Sequence, residues 1–71
     1  MSFAFPQEQL ILTEVHKLYG NVDITVADKY TVLDMLYYID YLLDLYKFQP
    51  IGKVKILQDN LTRRLEDVKI S

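Results

Sequence analysis

The chain has no cysteine, no tryptophan and one histidine among its 71 residues. Without thiols there can be no disulfide and no thiolate metal centre, and His16 alone excludes a multi-histidine site within one chain. Serine occurs only as Ser2 and Ser71, so a nucleophile, base and orienter of the hydrolase kind cannot be assembled from the usual residues. No Gly-rich phosphate loop is present, and no cofactor is expected. The missing thiols fit a reducing compartment. The first residues carry neither a basic region nor a long apolar run, which argues against a signal peptide. Uncharged runs such as Met35–Ile39 are far shorter than the ~20 residues a membrane span needs. A soluble, cytoplasmic protein with no membrane partner is therefore expected.

A single domain of this size buries only about 60% of the surface of its unfolded chain. With disulfides and metals removed as staples, helix packing or association must supply stability. Hydrophobic residues make up 51% of the chain and charged residues 25%. The net charge of −2 conceals a division: residues 1–46 hold two lysines against seven acids, and residues 47–71 hold six basic residues against three acids. Such segregation serves packing between complementary segments, or supplies an acidic and a basic contact face.

Only Pro6, Gly20, Pro50 and Gly52 punctuate the sequence, and they fall between periodic segments. From Pro6 to Tyr19, the residues Ile11, Leu12, Val15, Leu18 and Tyr19 form one helical stripe, which Gly20 ends. Val22 to Val26 reads as a connection. Thr25 with Asp28 resembles a capping box, and Asp23 is the alternative cap. A long central helix is predicted over 26–48, about 33 Å, with Val32, Met35, Leu36, Ile39, Leu42, Leu43 and Tyr46 as its apolar seam. A third helix is predicted over 53–70, with a possible break near Asp59-Asn60. The expected architecture is all-α: one domain spanning 1–71, as a small three-helix bundle or a helical hairpin with a third helix packed across it.

The central helix has a second pattern. Tyr30, Asp34, Tyr37, Tyr41, Asp44 and Phe48 follow at intervals of 4, 3, 4, 3 and 4, with Tyr38 beside them and Asp40 at the edge. This spacing keeps them on one face, opposite the aliphatic seam. Two neighbouring helices can cover the seam and leave the Tyr/Asp face over, or they can bury both faces with each tyrosine hydroxyl reaching water at the bundle edge. Tyrosine suits binding hot spots, while aspartates need basic partners or a rim position. The face is thus the candidate surface for a protein target or a second copy, in a regulator, inhibitor or adaptor. Lys53, Arg63, Arg64 and Lys69 are the candidate basic contacts, as electrostatic partners in a homodimer or, in an alternative reading, for nucleic acid. The basic residues are too few for nucleic acid to be the expected partner, and no metal site is expected, because Asp40 and Asp44 lack a third ligand.

The run Asp40-Tyr-Leu-Leu-Asp-Leu-Tyr46 resembles part of the second helix of the small helical-hairpin aspartyl-phosphate phosphatases of sporulation control, in its order of Asp, two aliphatics and an aromatic. The Ser-Gln-Glu run of that family is replaced here by Leu36-Tyr-Tyr-Ile39. The resemblance implies a phosphatase-like enzyme as a weaker alternative, and the main expectation is a non-enzymatic protein.

Overall fold

The first helix, α1 (Pro6–Tyr19), begins at a proline whose missing N–H costs nothing in the first turn. It ends at Gly20, whose φ of +64° is open to glycine without a Cβ penalty and whose N–H donates to the His16 carbonyl at 2.7 Å. These coordinates come from a computed structural model, which describes residues 6–70; Ser2 and Ser71 lie outside the described residues. Ile11 and Val15 of α1 are buried, but Leu18, assigned by its spacing to the same stripe, is exposed. In the same last turn it is Tyr19 that packs on the core.

The connection contains one turn of 3-10 helix, Ile24–Val26. Asp23 caps it, with Oδ1 accepting from the Thr25 N–H at 3.0 Å and from the Thr25 hydroxyl at 2.6 Å. The central helix, α2 (Lys29–Leu45), starts later than its periodicity suggests. Its cap is Asp28, whose Oδ1 accepts from the Thr31 N–H at 2.8 Å. Thr25 is therefore not the cap: Asp23 has already used it to close the preceding turn. Hydrogen bonding from Thr25 and from Thr31, side chain first and backbone second, holds the Asp23 and Asp28 carboxyls below the usual range.

The helix also stops earlier than predicted. The Lys47 N–H donates to Asp44 O at 3.3 Å and the Phe48 N–H to Leu43 O at 3.0 Å, while Lys47 takes a φ of 52°. This is a Schellman closure with lysine at the left-handed position that glycine usually fills. Phe48 follows the reversal and packs on the core, so it leaves the outer face of α2 on which its spacing had placed it.

The third helix, α3 (Gly52–Ile70), runs through Asp59-Asn60 without a break. Gly52 has a φ of +57°, and a Cβ there would lie 2.6 Å from Glu8 Oε2. The carboxylate of Glu8, one of the buried residues of α1, therefore sits against the first residue of α3, where the helix dipole favours negative charge.

The fold is an all-α three-helix bundle, with no strand among the described residues. Helix α2 packs most extensively on α3 and less on α1. One core draws on all three helices, and Ile11, Val32, Ile39, Val54 and Leu61 are fully enclosed. Each such aliphatic side chain contributes about 1.5–3 kcal/mol by leaving water. Arg64 adds a polar tie, its Nε–H donating to the Ala27 carbonyl at 2.9 Å, which fastens α3 to the chain just before α2.

Candidate protein-interaction surface

A helix turns about 100° per residue, so residues 30, 34, 37, 41, 44 and 45 of α2 point away from the side that holds Val32, Ile39 and Leu43. The exposures follow that geometry: Tyr30 is 80% exposed, Tyr37 73%, Tyr41 59% and Leu45 54%. Asp34, Asp40 and Asp44 are exposed as well. Of the expected site residues, these six tyrosines and aspartates lie on the outer and flanking surface of α2. Leu45 lies outside the Tyr/Asp pattern, but it follows Tyr41 by four residues and so shares its face.

Tyr38 is placed differently. It is half-buried and packs against the core. Its ring lies edge-on to Tyr19 of α1, with centroids 6.1 Å apart at 65°, and stacks on Tyr41 at 6.2 Å and 17°. The Tyr19 hydroxyl donates to Asp34 Oδ2, across the seam between α1 and α2. Burial, the hydrogen bond to Asp34 and that residue's negative charge together push the Tyr19 hydroxyl up to about 12. At neutral pH it is therefore a donor that orients Asp34. The aromatic row thus has an inner pair, Tyr19 and Tyr38, that belongs to packing. Its outer members are Tyr30, Tyr37 and Tyr41, with Tyr41 touching both sets.

On the α3 side, Tyr37 and Asp40 form one wall of an open groove of about 440 Å³ with Leu36, while Lys55, Gln58, Asp59 and Thr62 form the other. Lys55 pairs with Asp59 at 2.9 Å, so the α3 wall is close to neutral. The expected basic contacts do not gather here. Arg63 and Arg64 line a separate depression of about 310 Å³ with Ile24, Thr25, Asn60 and Asp67, on the opposite flank of α3. Lys53 and Lys69, in the first and last turns of α3, are separated by 16 residues, about 24 Å of helix. The four cations therefore form no common patch, and Arg64 is bound to the Ala27 carbonyl.

His16 is exposed at the rim of a small, largely apolar hollow of about 180 Å³ that includes Leu12, Val22 and Met35. Among the described residues, no group of three or more His, Cys, Asp or Glu is arranged to hold a metal ion. No described helix is long and apolar enough to cross a membrane.

No family model, curated protein or solved structure matches this chain. What its surface can do therefore rests on its own geometry. That geometry offers a ring-and-carboxylate face about four turns long, with hydroxyl donors, carboxylate acceptors and apolar ring area.

Proposed function

We propose that the chain is a small, non-enzymatic helical protein-interaction module whose contact surface is the Tyr/Asp face of α2. It would act as a regulator, inhibitor or adaptor, by occupying a surface of its partner. One observation carries this reading: α1 and α3 already fill the aliphatic seam of α2, yet Tyr30, Tyr37 and Tyr41 keep most of their surface in water. Amphipathic rings grouped on a rigid helix give large contact area at little entropic cost. The nucleic-acid alternative draws little support, because Glu66 and Asp67 interrupt the basic residues of α3 and Arg64 serves the fold.

The test is site-specific photo-crosslinking in the native cell, with p-benzoylphenylalanine in turn at positions 30, 37 and 41 and, as control, at exposed Thr13 of α1. Discrete protein adducts are expected from the α2 positions and not from position 13. Irradiation that yields no adduct at any of the three α2 positions would refute the reading.

A further inference from the structure

Charge and ring placement identify the chemistry of the partner. We infer that the α2 face receives a cationic helical segment of another protein, whose arginine or lysine heads pair with Asp34, Asp40 and Asp44 and lie over the rings of Tyr37 and Tyr41. This inference rests on the interface reading above and names the occupant.

Three observations converge on it. First, α2 carries three exposed aspartates and one basic residue, Lys29, at its first position. Asp44 has a cation nearby, Lys47 at 3.9 Å, but both side chains are well exposed and water screens the pair. Asp34 uses Oδ2 for Tyr19 and keeps Oδ1 for another donor. Second, each row along the helix holds both carboxylate and ring at three- and four-residue steps: Asp34, Tyr37 and Tyr41 in one, Tyr37, Asp40 and Asp44 in the next. A guanidinium can stack on a tyrosine face while its N–H groups reach the adjacent carboxylate, so each row offers both halves of an arginine site. Third, the groove beside Tyr37 and Asp40 has no net positive wall, since Lys55 is spent on Asp59.

A second copy fits less well. Two α2 faces placed together would set the aspartates of one copy near those of the other. The cations of α3 that could offset them, Arg63 and Arg64, open on the far flank beside Asp67. The acidic and basic surfaces therefore do not lie on one patch that a two-fold axis could make self-complementary. Area points to a small partner element. At ~150–250 Å² for a large ring, the three outer tyrosines and Leu45 offer on the order of 500 Å², below the ~800 Å² per partner of a standard interface and suited to one docked helix.

The test is an amide NMR titration of the full chain with two synthetic alanine-based helical peptides. One carries arginine at every third or fourth position, and the other carries glutamine at the same places. The arginine peptide is expected to shift the α2 amides and to bind at least about tenfold more tightly than the glutamine peptide. Its affinity should fall several-fold between about 50 and about 300 mM salt. Asp40→Asn with Asp44→Asn should remove most of the preference, and Tyr37→Ala with Tyr41→Ala should weaken binding of the arginine peptide. All four residues are exposed, and the unliganded spectrum verifies that each variant is folded. Equal binding of the two peptides, arginine-peptide shifts confined to α3, or sedimentation of the chain as a dimer that Tyr37→Ala dissolves would each overturn the inference. Should α2 crosslinks form in cells while the peptides bind equally, the cationic partner is wrong and the interface reading stands. If neither crosslinks nor peptide shifts appear, both are wrong.

Discussion

The two faces of α2 share one backbone and the same helical spacing, yet they meet different surroundings. The inner face presents Val32, Met35, Ile39, Leu42 and Leu43, all buried by α1 and α3. The outer face presents Tyr30, Tyr37, Tyr41 and Leu45, mostly in water, with aspartates between them. Apolar area stabilises a fold only when folding removes it from water. The inner residues therefore hold the bundle together. The outer rings, mostly in water, add little to it.

The largest effect should come from setting the two faces directly against each other. Ile39→Ala should cost about 2–5 kcal/mol in urea denaturation, enough to unfold a domain of this size, while Tyr37→Ala should cost under about 0.5 kcal/mol. Comparable losses would erase the distinction between the faces.

A smaller effect should appear at their border. Tyr19→Phe removes the donor to Asp34 and should cost about 1 kcal/mol. The pH dependence sharpens this test. The Tyr19 hydroxyl is raised from 10.0 to about 12 in the folded chain, so its contribution is whole below pH 10 and declines as the pH climbs from 10 toward 12. Thermal melts across that range should show this step in the parent chain and lack it in Tyr19→Phe.

The smallest effect should be a gain at the end of the outer face. Lys47 holds a φ of 52°, which costs a residue bearing a Cβ. Lys47→Gly should therefore stabilise by about 0.5–1 kcal/mol in denaturant titration, and Phe48 should stay on the core. A loss of stability would mean that the lysine side chain contributes more than its backbone strain costs.

Much of this was legible in the residues. Pro6, Gly20, Pro50 and Gly52 separate three stretches with helical period, and the fold class follows. The three- and four-residue steps from Tyr30 to Asp44 likewise place those residues opposite the seam. Other features were not legible. Asp23, Thr25 and Asp28 are all competent caps, and only the 3-10 turn assigns Asp23 to Thr25 and Asp28 to α2. The Schellman closure uses lysine in place of glycine or asparagine, so nothing in the letters announced that α2 would stop before Phe48. Tyr38 stands at the boundary of the two faces, and the docking of α1 drew it inward. The basic residues of α3 looked like one group in sequence, but successive residues of a helix point in different directions and only some share a flank.

Local periodicity and punctuation, by themselves, specified three helices and two unlike faces on the central one, because side-chain direction in a helix is set by residue number. Tertiary structure alone decided which tyrosines became packing and which stayed outside, and it parted Arg64 from the surface cations. Those outcomes depend on where neighbouring helices lie and where their closing turns reverse the chain, through contacts between residues far apart in sequence.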